Sequence, residues 1–198
     1  GSGGLSFLKM MDGPKKKLVT HDGSFHTDDV FAAATLALYF EKKREQFDIL
    51  RTRNEEVIEK ADVVFDVGGI YDPAQNRFDH HQVGGAGARE ESPGVEYASF
   101  GLVWKKFGLE LCGEEKAAEL IDKRLAAPID AWDNGMDLAE NKYEVSPYLV
   151  QHMIGAMKPT WKEENISEDE MFIKSLQLAK EILSASFMST PIIKNPIP

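Results

Sequence analysis

The stretch "KLVTHDGSFHTDDVFAAATLALYF", residues 17–40, combines a short β-like run, a turn and the start of an apolar helix. The β-like run covers residues 17–21. The helical pattern covers residues 27–46, with acidic residues in its first turn and basic residues at its end. Further strand and helix signals follow at residues 47–52, 54–61 and 62–69. Strands joined by helices in this way predict a mainly parallel sheet flanked by helices.

The rest of the chain predicts one hairpin followed by helices. The hairpin covers residues 69–81 and turns at an Asp-Pro pair. The helical segments lie at residues 95–107, 114–127, 147–157 and 168–187. We therefore predict an α/β fold with a helical C-terminal half, formed by one domain at residues 15–188. Residues 1–14 are expected to be a tag remnant or a disordered lead, and residues 189–198 a Pro-rich tail.

Composition restricts the class of protein. The single cysteine cannot form an internal disulfide and fits a reducing compartment. The net charge of −10 argues against a broad basic platform for nucleic acid, but not against an anionic substrate, because carboxylates that have bound cations become locally positive. The longest apolar run, residues 30–40, is too short to span a bilayer, and neither a signal peptide nor an organellar targeting segment is evident. We expect a soluble cytoplasmic protein with no membrane partner.

The histidines are concentrated in two short segments. Four of the five lie close to aspartates, in "HDGSFHTDD" at residues 21–29 and in "FDHHQ" at residues 78–82. In sheets of the predicted kind, ligands bind at the carboxyl ends of the strands, which is where His21 and Asp66 are expected. Imidazole together with carboxylate suits Mn²⁺, Fe²⁺ or Zn²⁺. The alternative interpretation is solvated loop histidines beside aspartates that cap a helix.

The Asp-His-His sequence predicts a division of roles. Adjacent residues of a regular strand point to opposite faces, so His80 and His81 cannot both bind one ion from a strand. We predict that one binds metal and the other faces the substrate, while Asp79 accepts the spare N–H of an imidazole. Asp66 is a carboxylate within an apolar strand, where an unpaired charge is costly, so a metal is a plausible partner. Surface histidines, and an aspartate that merely closes a strand, are the alternatives.

Two further segments carry candidate residues. Asp130 and Asp133, in "DAWDNG", share a helix face, and either could complete a coordination shell; a solvated helix end is the alternative. The glycine-rich segment at residues 82–90 lacks the Gly-Lys-Ser/Thr of a P-loop. We predict that it is a mobile flap in which Arg89 contacts phosphate, the alternative being a solvated loop.

Five segments between residues 17 and 135 carry a family resemblance. "THDGSFHTDD", "DVGGIYDP", "RFDHHQ", "YASFGLVWKKFG" and "DAWDNG", in this order, resemble the Myg-type family, named for a melanocyte-proliferating gene product, within the DHH phosphoesterase superfamily. Members are described as metal-dependent 3′–5′ RNA exonucleases. The resemblance implies a DHH-like domain that binds two divalent cations, Mn²⁺ first, with Mg²⁺, Fe²⁺ or Zn²⁺ as other options.

The resemblance also implies roles for individual residues. One ion would be held by His21, His26 and Asp66, and the other by Asp28, Asp66, His80 and Asp130. Asp66 would therefore bridge the two ions, and Asp66 and His81 would be the catalytic residues, His81 through contact with the phosphate. Asp133 and Asp79 remain alternative ligands or residues that support a ligand. Superfamily enzymes usually have a second domain that closes over the metals, and we expect it to be absent from this chain.

The expected function is that of a divalent-metal-dependent phosphodiesterase acting on RNA or a short oligonucleotide from the 3′ end, as a monomer or a homodimer. Two alternatives stay open at this point. One is a hydrolase of a small phosphorylated molecule, such as pyrophosphate or a dinucleotide, and the other is a non-catalytic metal-binding module that works with a partner. Aromatic side chains that stack on bases would favour RNA. Tyr97, Trp104 and Trp132 could serve that purpose or could fill helix cores.

Overall fold

The computed structural model describes residues 13–160 and 165–189. Of the predicted lead only residues 13 and 14 are among them, and of the predicted Pro-rich tail only residue 189; the remainder of both lies outside the described residues. The strands and helices, in chain order, are β1 (Lys16–Thr20), α1 (Thr27–Lys43), β2 (Phe47–Arg51), α2 (Glu55–Glu59), β3 (Val63–Phe65), β4 (Tyr71–Asp72), β5 (Arg77–Phe78), α3 (Ser99–Cys112), α4 (Glu115–Ile121), α5 (Ala127–Asp133), α6 (Val150–Ala156) and α7 (Glu168–Ser189).

The strands form one sheet in the order β2-β1-β3-β5-β4. β1 pairs in parallel with both β2 and β3, and β3 pairs in parallel with β5. Only β4 runs antiparallel, against β5, and a 3-10 turn at Pro73–Gln75 joins the two. The predicted mainly parallel sheet, the hairpin and the helical C-terminal half are confirmed.

Helices cover both faces of the sheet. Successive residues of a strand point to opposite faces, so Leu18 enters the large core while Val19 enters a smaller cluster. The large core lies between the sheet and helices α1, α3 and α7, which pack against one another. The smaller cluster lies under α2, where Val57 and Ile58 pack against Val64. Helix α1 is buried along most of its length because it has neighbours on several sides, as its apolar sequence predicts.

The structure departs from several predicted boundaries; helix α1 ends at Lys43 and not at residue 46, and the helix predicted at residues 95–107 is α3, Ser99–Cys112. The strand expected at residues 62–69 ends at Phe65, because the next residue, Asp66, adopts a left-handed backbone conformation with φ of 54°. The helix expected at residues 114–127 is longer, because α4 continues through a π-helical segment, Asp122–Ala126, into α5. The helix expected from residue 147 begins later, at Val150. No helix in the described ranges is long and apolar enough to cross a membrane.

Candidate metal centre

Three neighbouring parallel strands end at one edge of the sheet, and a polar residue follows each of them. His21 follows β1, Asp66 follows β3 and Asp79 follows β5. The first turn of α1 reaches the same edge, because the short loop after β1 leads directly into that helix. Residues that are far apart in sequence therefore meet in one cleft, as the strand assignment predicts.

Asp66 lies at the centre of this cleft. Its Oδ2 is 3.2 Å from His21 Nε2 and its Oδ1 is 3.4 Å from His80 Nε2, and the residue is only 4% exposed. Its left-handed backbone conformation is uncommon for residues other than glycine and costs about 1–3 kcal/mol. This conformation ends β3 and directs the carboxylate between the two imidazoles.

One group of ligand atoms lies on the His21 side of Asp66. The atoms of His21, His26, Asp29 and Asp66 lie within 4.8 Å of one another. Asp29 has two functions: Oδ1 accepts the His26 backbone N–H at 2.7 Å, which caps α1, and Oδ2 lies 3.3 Å from His21 Nε2. The sequence presented Asp29 only as one of the aspartates that cap the helix, although the doubled aspartate at the start of that helix could also have indicated a ligand.

A second group lies on the His80 side. It consists of Asp28, His80 and Asp133. His80 Nε2 is 3.8 Å from Asp28 Oδ2 and 3.2 Å from Asp133 Oδ2, so the imidazole is surrounded by carboxylate oxygens. Asp28 is fully buried and Asp133 lies at the last position of α5, which points at the cleft.

Asp79 organises the loop that carries the two histidines. Its Oδ1 accepts the backbone N–H groups of His80 and His81 at 2.8 and 3.2 Å, and its Oδ2 accepts that of Gly69 at 2.6 Å. The same Oδ1 is 2.7 Å from His81 Nδ1, and because a carboxylate can only accept, Nδ1 carries the proton. The side chain of His81 is 59% exposed and lines the cleft, whereas His80 is buried. A third group of ligand atoms joins Asp66 to these three residues.

The N-terminus of α3 packs against the same carboxylates. Asp28 accepts the backbone N–H groups of Ser99 at 3.0 Å and Phe100 at 2.6 Å, so it caps α3 from α1. The Ser99 hydroxyl donates to the Phe78 carbonyl at 2.8 Å and lies 3.3 Å from Asp66 Oδ1. Ser99 belongs to a quoted motif, but its role depends on a contact between α3 and β3 that no local pattern reveals.

The structure places Asp130 and Arg89 outside the three groups of ligand atoms. Asp130 accepts the Gly101 backbone N–H at 3.0 Å and is 2.8 Å from Arg89 Nη2, so its carboxylate is already paired and it joins none of the three groups. Arg89 is 5% exposed and also binds both oxygens of Asp122 at 2.8 Å, so it does not face the cleft as a phosphate contact would. A Cβ on Gly101 would lie 1.8 Å from the Asp130 carboxylate, so only glycine fits there.

The electrostatics of the cleft favour positive charge. Burial opposes protonation of His21, but the hydrogen bond to Asp66 and the charge of Asp29 raise the pKa of His21 to about 9. Burial also opposes protonation of His80, yet the nearby carboxylates of Asp133 and Asp66 raise the pKa of His80 to about 11. Burial would raise the pKa of Asp66, but the adjacent imidazoles of His21 and His80 hold it well below its usual range.

The carboxylates of the cleft outnumber the histidines that carry a positive charge. Burial, together with the charge of Asp66, raises the pKa of Asp29 to about 7 and that of Asp28 well above its usual range. Burial and the charge of Lys158 lower the pKa of His26, which keeps that imidazole neutral and able to act as a ligand. The cluster therefore attracts protons in the places where cations would bind.

The donor set fits divalent cations. Among the described residues, no lysine or arginine forms an ion pair with Asp28, Asp29, Asp66 or Asp133. Buried charges are normally paired or bind metals. Two buried ligand atoms, Asp29 Oδ2 and His80 Nε2, have no hydrogen bond of good geometry. Imidazole nitrogen together with carboxylate oxygen is a donor set that suits divalent cations of the first transition series.

Comparison with known proteins finds one family. Its model, MYG1_exonuc, described as Uncharacterised protein family (UPF0160), matches residues 17–194. The chain is 31% identical to MYG1 exonuclease of Homo sapiens over 192 residues, which are 87% of this chain and 50% of that protein. It is also 31% identical to MYG1 exonuclease of Bos taurus over 184 residues, 83% of this chain and 48% of that protein. MYG1 protein of Dictyostelium discoideum is 29% identical over 184 residues, 86% and 54% of the two chains.

The chain spans about half the length of these curated relatives. No solved structure matches it.

Proposed function

The chain belongs to the MYG1_exonuc family, and from that premise we propose that it is a divalent-metal-dependent phosphodiesterase, a 3′–5′ exonuclease of RNA. The observation that carries the proposal is the position of Asp66. Its two carboxylate oxygens face two different histidines, and it belongs to two of the three groups of ligand atoms. A carboxylate so placed is suited to bridge two ions, which is the arrangement of two-metal phosphodiester hydrolysis.

We propose a revised set of ligands. One cation would be held on the His21 side of Asp66, and the other on the His80 side. The first set is His21, His26, Asp29 and Asp66. The second is Asp28, His80 and Asp133, joined by Asp66 because its Oδ1 lies 3.4 Å from His80 Nε2. When bound, the cations would act as Lewis acids on the reacting phosphoryl group. Asp133 replaces Asp130 because only Asp133 reaches His80 in the structure.

His81 is the residue we assign to the phosphate. Asp79 binds its Nδ1–H, which leaves Nε2 as the ring atom available to substrate. The exposed ring lines a cavity of about 930 Å³ that also contains His21, Asp66 and Asp133. From there the ring can donate a hydrogen bond from Nε2 to a phosphoryl oxygen when both of its nitrogens carry protons, as negative charge develops on that oxygen.

The polarity and class of substrate rest on the relatives. The Homo sapiens and Bos taurus proteins are named exonucleases, and the open, acidic cleft with two cations would accept the terminal phosphodiester of a single strand. We propose RNA over DNA, and attack from the 3′ end, because the quoted motifs resemble those of the Myg-type family.

The experiment supplies the full chain with Mn²⁺, Mg²⁺, Zn²⁺ or EDTA and three substrates: single-stranded RNA with a 5′ label, the same RNA with a blocked 3′ end, and pyrophosphate. We expect Mn²⁺-dependent release of mononucleotides from the free 3′ end and protection by the block. Faster hydrolysis of pyrophosphate would support a small-molecule hydrolase, and no hydrolysis with both ions bound would support a binding module.

The two adjacent histidines supply the mechanistic test. His80→Ala should lower metal affinity, because Nε2 faces carboxylates of the second group. His81→Ala should keep both ions and lower kcat roughly 100-fold, the usual cost of losing one donor to a developing oxyanion. Metal content of each purified variant separates the two outcomes, and equal metal loss in both would contradict the assignment.

A further inference from the structure

A second cavity extends the metal cleft toward the C-terminal helices. Its volume is about 480 Å³, and His26, Asp28 and Asp133 form the wall that it shares with the metal centre. The opposite wall comes from the end of α5, from α6 itself, and from the residues just before and after α6. A molecule bound at the metals can therefore continue into this cavity without leaving the cleft.

The far wall is aromatic and exposed. Trp132 is 48% exposed and its ring centroid lies 5.3 Å from that of His152, nearly perpendicular to it. Tyr148 is 71% exposed and lies 5.3 Å from the same imidazole. His152 is held in place because its Nδ1 accepts the Leu149 backbone N–H at 2.9 Å. Large apolar rings left open to solvent beside a reaction centre are unusual unless they bind something.

The other two aromatic residues considered from the sequence are occupied. Trp104 is buried, and its Nε1–H donates to the Ala118 carbonyl at 3.0 Å. Tyr97 is half-buried, with the Arg89 guanidinium 4.3 Å from its ring. Of these three candidates for base stacking, the structure leaves Trp132 facing the cleft.

Lys158 supplies a positive charge to the same cavity. It lines the wall with Trp132 and His26, and its Nζ lies 5.9 Å from the ring of Phe25. Among the residues that the structure describes, it forms no ion pair with a carboxylate. An ammonium group between an aromatic surface and a metal centre is placed as a phosphate contact would be.

We propose that this cavity is the subsite for the terminal nucleotide of the substrate. The base stacks on Trp132, with Tyr148 and His152 at its edge, and the phosphate lies between Lys158 and the metal centre. The proposal rests on the proposed function, because it takes the metals as the site of reaction. Every base has a π-face, so the subsite accepts all four bases, as a non-specific exonuclease requires.

The first experiment measures binding and does not depend on cleavage. Adenosine 5′-monophosphate and ribose 5-phosphate are titrated into the Mn²⁺-loaded full chain by calorimetry. Stacking on an aromatic ring is worth about 1–3 kcal/mol per base, so Trp132→Ala should weaken the nucleotide about 5- to 150-fold. The loss should be at least five times smaller for ribose 5-phosphate, which has no base. Lys158→Ala should weaken both ligands together.

The controls separate stacking from folding. Tyr143→Ala removes an aromatic ring that is 82% exposed in the same region but does not line the cavity, and it should bind as the parent chain does. Trp132→Phe should restore most of the affinity. If Trp132→Ala misfolds, Tyr148→Ala gives the same comparison from an exposed loop position.

The second experiment measures turnover of a dinucleotide and of the same compound with the base of the terminal nucleotide removed. Trp132→Ala should raise KM for the dinucleotide about tenfold more than for this abasic ester, in line with one lost stacking contact. An equal increase in KM for both substrates would show that Trp132 acts only by positioning Asp133. Unchanged nucleotide binding together with an altered oligomeric state would show that the aromatic rings form a protein interface. Either result overturns the subsite, whereas nucleotide binding without any cleavage would overturn the proposed function alone.

Discussion

Two acidic networks lie on either side of the N-terminus of α3, and they differ in how their charge is balanced. In the inner network, Asp130 and Asp122 share the guanidinium of Arg89, with contacts of 2.8 Å to both. In the cleft, Asp28 and Asp66 face histidines alone. Both networks cap the N-terminus of α3. Asp130 accepts the backbone N–H of Gly101, and Asp28 accepts the two backbone N–H groups that precede it.

The difference separates a structural ion-pair network from a candidate cation site. The permanent charge of Arg89 pairs with both carboxylates of the inner network and cancels one of their two charges, so a resident side chain holds that network together. The cleft relies on imidazoles whose raised pKa values show that the carboxylates attract charge. Two equally buried carboxylates can therefore have different functions. The charged group beside each carboxylate, and not the degree of burial, decides which function it has.

The largest expected effect comes from Asp66→Asn. Asparagine tolerates the left-handed backbone of this position, so the fold should persist while the bridging charge is lost. Loss of a residue that supports a metal ligand typically costs 10–100-fold, so loss of a bridging ligand should exceed about 100-fold in activity. Metal content and circular dichroism of the purified variant measure the two effects.

Asp48→Asn is the matched control, because Asp48 is a half-exposed carboxylate far from the cleft. It should keep both ions and full activity. Full occupancy of both ions in Asp66→Asn would contradict the bridging assignment.

Arg89→Met tests the inner network. Removing the guanidinium leaves two carboxylates without their partner, and Asp130 is fully buried. Breaking a buried pair in this way costs about 3–5 kcal/mol of unfolding free energy. Urea denaturation of the parent and variant measures the loss. A variant that unfolds at the parent's midpoint would show that the network is not structural.

Asp133→Asn and Asp130→Asn compare the two networks on one helix. Asp133→Asn should weaken Mn²⁺ binding roughly 10–100-fold with little change in unfolding free energy, because Asp133 is partly exposed and faces His80. Asp130→Asn should show the reverse, a loss of stability with Mn²⁺ affinity largely kept. Calorimetric titration and urea denaturation of both variants provide the comparison. Weaker Mn²⁺ binding in Asp130→Asn alone would restore the original assignment of Asp130.

The last prediction changes the solution and no residue: it is the pH dependence of Mn²⁺ binding. The pKa of His21 is raised to about 9 and that of Asp29 to about 7, so both hold protons at pH 6 that a cation must displace. Affinity should therefore rise with pH by up to about tenfold per unit for each group, from pH 6 to 7 for Asp29 and from pH 6 to 8 for His21. Titration at pH 7 in two buffers with different ionisation enthalpies counts the protons, and no proton release would contradict the prediction.

The amino-acid sequence by itself determined the parts of this protein that depend on local order. Alternation of strand and helix signals predicts the parallel sheet, because short-range periodicity reports which faces are buried. The position of His21 and Asp66 at strand ends then predicts one polar edge, because parallel strands align their carboxyl ends. The motif formed by Asp79 and the two histidines that follow it predicts metal ligands at that edge. The series of quoted motifs indicates the family of the chain.

Only the tertiary structure decided how the carboxylates are divided between the two networks. Asp130 and Asp133 share a helix face and residue type, so no local pattern tells them apart. The π-helical segment before α5 and the absence of a side chain at Gly101 bring Asp130 against Arg89, a residue far away in the chain. Asp133, at the helix end, is left to face His80. Charge pairing depends on which groups the packed chain brings within a few ångströms, and that distance is set by long-range contacts.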